Sequence, residues 1–345
     1  MRRLVIRTEA NAATATGHMR RCLNIAEAAR EHGAEVLFIV AEEISVRLPQ
    51  EAGYPVWCLN RPFDAFDSEV PLIGEKLREQ GIRERDDAVY LIDSYFVSDT
   101  YLQAMSKLVR TAYIDDLHER IWSCDTLICY GMYAEDYDYV KEYPGAQLLL
   151  GETYMPMNRI YRDLPEHDIR EDLKEVLVVS GGTDPVHFLP QFLKLVAEQT
   201  AWREIRFTLI AGALDPDLPE LKRMAEALEN VTICGPIPNL KAALQNSDLA
   251  ITAAGTTLYE LAATGTPGIC YALADNQIPN AEAFAKRDLF LFAGYIHIDG
   301  FSKETLQKQL EQMRDAALRR EMSKRLRRLT DGRGAERIAR ALLSE

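Results

Sequence analysis

Residues 251–277 read ITAAGTTLYELAATGTPGICYALADNQ, and the order of their properties is that of a strand, a turn, a helix and a second strand. The apolar run Leu249-Ala250-Ile251 predicts a buried strand. Ala253-Ala254-Gly255 then form a small-residue turn where the backbone can bend and a ligand can approach closely. Thr256 and Thr257 open a helix, and the free N–H groups and dipole at a helix start favour an anion such as phosphate. Glu260 lies three and four residues further on, so its carboxylate shares a face with both threonines. A carboxylate beside a phosphate site makes sense when it accepts hydrogen bonds from neutral hydroxyls, and ribose hydroxyls fit that role. The stretch predicts one strand-helix-strand unit of a parallel sheet, carrying half of a nucleotide-sugar site.

Outward from it, the same alternation fills the chain. Strands are predicted at Leu4–Arg7, Glu35–Val40, Pro55–Leu59, Ala88–Asp93, Thr111–Asp115, Thr126–Tyr130 and Gln147–Leu150, with helices over 19–32, 70–81 and 98–109. The first helix places Met19, Cys22, Leu23, Ala26 and Ala29 on one stripe and stops at Gly33. The pattern restarts at Glu175–Ser180 and continues through Arg206–Ala211, Val231–Cys234, Asp248–Thr252, Gly268–Tyr271 and Leu289–Phe292. Strands alternating with helices predict parallel sheets with right-handed crossovers. The polar segment between Met155 and Leu173, with Pro156 and Pro165, is the predicted boundary. The expected organisation is a first domain over 1–155, a linker over 156–172 and a second domain over 173–345 that includes the C-terminal helices. In open parallel sheets ligands bind beyond the carboxyl ends of the strands. Two facing domains would therefore gather their strand exits around one cleft.

A chain of 345 residues with 47% hydrophobic residues has room for two cores. Its net charge of −13 argues against a nucleic-acid binder, which usually carries a basic footprint. Met1-Arg2-Arg3 is followed at once by a strand-like LVIRT, so no secretory signal is expected, and no run approaches the ~20 apolar residues of a membrane span. The scattered Cys22, Cys58, Cys124, Cys129, Cys234 and Cys270 form no C-x-x-C pair and read as reduced thiols of a cytoplasmic protein. No metal-ligand cluster is visible, and no two histidines stand at i, i+4. The basic stretch near 318–329 reads as a solvated amphipathic helix.

Other strand exits carry candidate chemistry. Gly17 permits a tight turn, and His18 stands at a helix start, where the dipole disfavours imidazolium and keeps a proton acceptor available; the same histidine could instead cap the helix or pack at the domain surface. Asp93-Ser94-Tyr95 and Asp115-Asp116 either cap following helices or ring the same crevice. Gly181-Gly182-Thr183-Asp184 allows close backbone approach. The turn Cys234-Gly235-Pro236-Ile237-Pro238-Asn239 offers backbone groups to the edge of a flat base. Asn276 and Gln277 both donate and accept, which suits a sugar, although they could also cap a helix.

Together these segments resemble a known group over nearly the whole chain. The Gly17-His18 loop, Asp93-Ser94-Tyr95, Asp115-Asp116-Leu117, Gly151 with Tyr154, Gly181-Gly182-Thr183-Asp184-Pro185, the AAGTT-x-x-E stretch, Asp275-Asn276-Gln277 and Asp331–Arg337 occur in the order and spacing of that group. It comprises the nucleotide-sugar hydrolases of pseudaminic acid biosynthesis and the spore-coat polysaccharide biosynthesis proteins, and it resembles the peptidoglycan N-acetylglucosaminyl transferases. The resemblance implies an α/β protein of GT-B type, with two Rossmann-like doubly wound parallel-sheet domains facing a central cleft. It implies metal-independent hydrolysis of a UDP-linked diacetamido trideoxy sugar, without a cofactor. His18 would be the general base, with Tyr95 beside it in the catalytic sugar pocket. Gly17, Arg21, Asp93, Asn276 and Gln277 would bind the sugar. Gly181, Gly235, Ile237, Ala254, Gly255, Thr256, Thr257 and Glu260 would bind UDP, with Gly235–Ile237 on uracil, 254–257 on the diphosphate and Glu260 on the ribose. The alternatives are a GT-B glycosyltransferase using the same UDP site and a non-catalytic nucleotide-sugar-binding protein of a polysaccharide pathway. The expected partner is the UDP-sugar alone, with no nucleic acid and no stable membrane insertion, and the chain a monomer or weak homo-oligomer. The sequence departs from the group's pattern at Glu9, where an Asp is usual, at Thr14 and Ala15, where Ile-Gly is usual, and at His187, where an Asn is usual.

Overall fold

The structure, a computed structural model, describes residues 2–11, 16–182, 184–212 and 215–344. Thr14, Ala15 and Thr183 lie outside the described residues. The chain divides into two compact units, Met1–Arg159 with Gly332–Glu345, and Ile160–Asp331.

The first unit is built on seven strands: β1 (Arg3–Thr8), β2 (Glu35–Val40), β3 (Val56–Cys58), β4 (Val89–Asp93), β5 (Arg110–Ile114), β6 (Thr126–Cys129) and β7 (Gln147–Leu150). They lie in the order β3-β2-β1-β4-β5-β6-β7 and pair in parallel throughout. Central strands are apolar on both faces because helices cover both sides of such a sheet; Leu4, Val5, Ile6, Leu91 and Ile92 are all buried. Thr8 stands opposite Asp93 in the register, so the residues that follow β1 and β4 emerge side by side. The first helix runs Gly17–Glu31 and buries Met19, Cys22, Ala26 and Ala29 of the stripe read from the sequence, while Leu23 is half-buried. The helix predicted over 98–109 is shorter, Asp99–Met105. It starts at Ser98, whose hydroxyl accepts the Tyr101 N–H at 3.0 Å. It ends where the amides of Leu108 and Val109 both turn back to the Met105 carbonyl.

The second unit has six parallel strands: β8 (Glu175–Val179), β9 (Arg206–Ile210), β10 (Val231–Cys234), β11 (Leu249–Ala253), β12 (Gly268–Ala272) and β13 (Leu291–Tyr295), in the order β10-β9-β8-β11-β12-β13. In both sheets the order reverses beside the first strand of the unit, which is the doubly wound pattern.

The boundary expected from composition needs two corrections. The last helix, Gly334–Leu343, belongs to the first unit. Its stripe Ala335, Ile338, Ala339 and Leu342 is buried, and Arg337 donates to the Thr153 carbonyl at 3.1 Å. At Gly334 a Cβ would stand 2.0 Å from the Met155 carbonyl oxygen, so only glycine allows this approach. The helix packs on the first helix, Gly17–Glu31, and nothing in its own sequence names that partner. The segment expected as a linker divides between the units: Asn24 of the first donates to the Pro156 carbonyl at 2.8 Å, while from residue 160 the segment belongs to the second, where Arg327 donates to the Leu164 carbonyl and Arg170 reaches Asp248 at 3.1 Å.

The basic stretch forms the helix Ala316–Arg327. One of its arginines is not solvated: Arg319 is fully buried and donates to the Glu171 carbonyl at 2.8 Å. No helix of the described residues is long and apolar enough to cross a membrane.

Candidate functional site

In the first unit, four strand ends and one helix start converge. His18 and Arg21 stand one turn apart at the beginning of the Gly17–Glu31 helix. Asp93 closes β4, while Glu9, Asp116 and Tyr130 follow β1, β5 and β6. His18 Nδ1 lies 2.6 Å from Asp93 Oδ1. Arg21 grips the same carboxylate with two donors, Nε to Oδ2 at 2.6 Å and Nη2 to Oδ1 at 2.5 Å. Its Nη1 reaches Asp116 Oδ2 at 2.6 Å and also the Tyr130 hydroxyl.

Burial alone would push the Asp93 carboxyl up, but Arg21 and His18 outweigh burial and hold it below the usual carboxylate range. Burial likewise works against the charge of Arg21, yet Asp116 and Asp93 hold its guanidinium charged. An ionised Asp93 can only accept, so the proton on the His18 ring belongs on Nδ1. Arg21 Nη2 and His18 Nδ1, 3.0 Å apart, are then two donors sharing one oxygen. Nε2 makes no hydrogen bond among the described residues and is the nitrogen left to take a proton. This is the orientation logic of a carboxylate-histidine pair. The Tyr95 ring stands edge-on to the imidazole, centroids 4.5 Å apart, and its hydroxyl reaches Asp116 Oδ2 at 3.1 Å. Tyr95 is 37% exposed and His18 5%.

The geometry changes the expected roles. Asp93 and Arg21, expected on the sugar, are buried and committed to each other and to His18. Asp93 caps no helix; Ser98 does that for the helix after β4. Asp115 instead stabilises its own turn, accepting from the amides of Leu117 and His118 and from the Tyr139 hydroxyl. Gly17 opens the first helix with nothing within 4 Å of the place a Cβ would take.

In the second unit the stretch 251–277 folds as a strand, a turn, a helix and a strand. β11 ends at Ala253, and the helix Thr257–Thr264 begins four residues later. The cap residue of this helix, Thr256, makes no side-chain capping hydrogen bond among the described residues, and the helix stops at Gly265 in the left-handed region, φ 73°. Asn280 fixes the turn: its amide donates to the carbonyls of Ala254 at 3.2 Å and Gly255 at 3.4 Å, while its oxygen accepts the Tyr259 hydroxyl at 2.9 Å. Glu260 is half-buried beside Tyr161, whose hydroxyl is pushed up by burial and by the Glu260 carboxylate. Gln277 accepts the Leu273 amide at 2.9 Å and lies alongside Gly255, its Nε2 3.9 Å from the place a Cβ would take there. Asn276 is exposed.

Gly181, at φ 96°, follows β8, and Gly235 and the 36%-exposed Ile237 follow β10, on the same carboxyl edge of the sheet. A Cβ on Gly212 would stand 2.2 Å from the Gly182 carbonyl oxygen, so the loops after β8 and β9 touch backbone to backbone. His187, also left-handed at φ 52°, pairs with Asp217 at 2.5 Å, which raises its imidazole above the ordinary value.

Asn280 and Gly212 were missed as contributors to these sites, and Glu9 was noted only as a departure from the group's pattern. Asn280 looks like an ordinary residue of the next helix, and Gly212 like any glycine after a strand. Among the described residues no group of three or more His, Cys, Asp or Glu side chains is arranged to hold a metal ion.

Two doubly wound parallel-sheet units in tandem define the GT-B fold. The chain superposes on the crystal structure of Acinetobacter baumannii MurG with a TM-score of 0.70 at 12% identity, over 99% of this chain and 98% of that one. It superposes on the UDP-GlcNAc 2-epimerase of Neisseria meningitidis bound to UDP-GlcNAc with a TM-score of 0.67 at 11% identity, over 100% of both. In sequence, the profile of the glycosyltransferase family 28 C-terminal domain matches residues 176–338. The chain is 23% identical over 214 residues to the spore coat polysaccharide biosynthesis protein SpsG of Bacillus subtilis, a match that spans 61% of this chain and 62% of that protein.

Proposed function

We propose that the protein is a UDP-sugar-dependent enzyme of the glycosyltransferase kind, which passes the sugar to an acceptor hydroxyl during surface-polysaccharide biosynthesis. The observation that carries this reading is the His18–Asp93 pair at 2.6 Å, which leaves Nε2 to accept a proton. The glycosyltransferase profile over 176–338, the polysaccharide relative and the UDP-GlcNAc held by a protein of the same fold support it. On this reading the Ala254-Gly255-Thr256-Thr257 turn and helix start receive the diphosphate. Glu260 takes the ribose hydroxyls, the Gly235–Ile237 turn takes uracil, Gly181 lets the backbone approach, and Asn276 and Gln277 face the sugar. The nucleophile gives its proton to His18 Nε2 and bonds to the anomeric carbon. The bond to the diphosphate breaks, and its electron pair leaves with UDP, whose growing charge meets the helix start.

Water in place of the acceptor makes the same chemistry a hydrolysis that releases UDP and a free diacetamido trideoxy-type sugar. One observation favours that second reading: His18 is only 5% exposed, with Tyr95 against its ring, which suits a small nucleophile. The test is a panel of UDP-sugars with UDP release followed with and without candidate acceptors. Release that requires an acceptor supports transfer, and release without one supports hydrolysis. UDP binding with no release from any sugar would overturn both in favour of a binding protein.

A further inference from the structure

Glu9 lies just beyond β1, is 1% exposed, and takes no part in the reaction as drawn. Its Oε2 accepts Arg7 Nη1 at 2.8 Å, and its Oε1 accepts the Ser94 hydroxyl. Ser94 is the neighbour of Asp93, and its oxygen also takes the Phe96 amide at 3.1 Å. Glu9 therefore follows the strand beside β4, one residue past Thr8, which stands opposite Asp93, and Asp93 is the carboxylate that holds His18.

Arg7 does not neutralise Glu9 alone. Its Nε and Nη2 are held by Glu69 at 2.9 and 2.8 Å, and its guanidinium stacks over Phe66 at 4.4 Å. Arg21 is likewise shared between Asp93 and Asp116. Two guanidinium groups thus face four carboxylates: Glu9, Glu69, Asp93 and Asp116. The groups around His18 are Arg21 on its own helix, Asp93 at the end of β4, Glu9 after β1 and Tyr95 in the loop after β4. Asp116 and Tyr130 lie behind Arg21. The cluster lacks positive charge when the imidazole is neutral, and a proton on His18 reduces the deficit. We propose that Glu9 is a positioning residue that stabilises the charged form of His18 and so sets how readily this histidine takes a proton. The inference rests on the reading above, in which that charged form appears when the nucleophile is deprotonated. Burial pushes the Glu9 carboxyl up, while Arg7, Ser94 and then His18 draw it back toward the ionised form, as expected of a group coupled to the imidazole.

The test is NMR titration of the His18 ring in the wild type, Glu9→Gln and Glu9→Asp, with His18→Gln to assign its signal among the six histidines. The amide of Glu9→Gln can give its oxygen to Arg7 and its NH2 to Ser94, so a folded protein is expected. The His18 midpoint should fall by about half a pH unit or more in Glu9→Gln and stay near wild type in Glu9→Asp. An unmoved midpoint in a folded Glu9→Gln overturns the proposal. If Glu9→Gln does not fold, Ser94→Ala replaces it; that change makes the Glu9 anion harder to keep, so the midpoint should fall in the same direction, and no movement overturns the proposal. Because the readout needs no turnover, a moved midpoint without UDP-sugar consumption would count against the sugar-transfer reading and leave the coupling standing. Consumption with an unmoved midpoint would do the reverse.

Discussion

His18 owes its proposed role to a carboxylate 75 positions away in sequence. Replacing Asp93 by Asn puts an amide where an acceptor was; the amide can donate to Nδ1 and move the ring proton to Nε2. Asp93→Asn should then reduce turnover about 10³-fold while leaving UDP affinity within a small factor, as read by steady-state kinetics beside calorimetric UDP titration. Glu260→Ala should do the opposite and weaken UDP binding about tenfold or more through the lost hydroxyl contacts. Glu9 bears on stability with a definite sign. Its folded carboxyl is raised above the unfolded value of about 4.3, so the native state binds the proton more tightly than the unfolded chain. Stability from this group is present below that value and lost as pH rises through the folded one. Glu9→Gln should therefore melt no lower than wild type at pH 7. It should also lack part of the gain that wild type shows on acidification into the window between the two values, a difference that melting curves at several pH values would measure. Of these residues, His18 and Asp93 were legible as strand-exit chemistry. Their pairing was not, because nothing in the local sequence distinguishes a carboxylate that caps a helix from one that crosses to its neighbour.

At the scale of the element, each of the thirteen predicted strands forms, because buried parallel strands are short apolar runs bounded by polar turns. Their ends moved by one to three residues where turn geometry decides, as at Leu291–Tyr295, predicted over 289–292. What stayed hidden is how loops are held. Asn280 ties the turn at Ala254 and Gly255 from a helix 25 residues on. Asn280→Ala would take a donor from two carbonyls and an acceptor from the Tyr259 hydroxyl, costing about 1–3 kcal/mol in denaturant unfolding and loosening UDP binding. Gly212→Ala must push apart the loops after β8 and β9, whose backbones touch, and about 1–3 kcal/mol of destabilisation is expected in the same measurement. Both costs come from contacts between residues distant in sequence, which periodicity does not register.

At the scale of the whole molecule, two tandem doubly wound sheets were readable because the alternation of strand and helix restarts after the polar segment near 155–173. The return of the last helix to the first unit was not, since an amphipathic stripe says that it will be covered without saying by what. On the proposed reading the first unit supplies the base and the second holds the nucleotide. UDP release from a cleavable UDP-sugar by wild type and His18→Ala, with UDP affinity measured on the same samples, separates these roles. A loss of about 10²–10⁴-fold in release with UDP affinity unchanged is expected. Release by His18→Ala at the wild-type rate would contradict that reading.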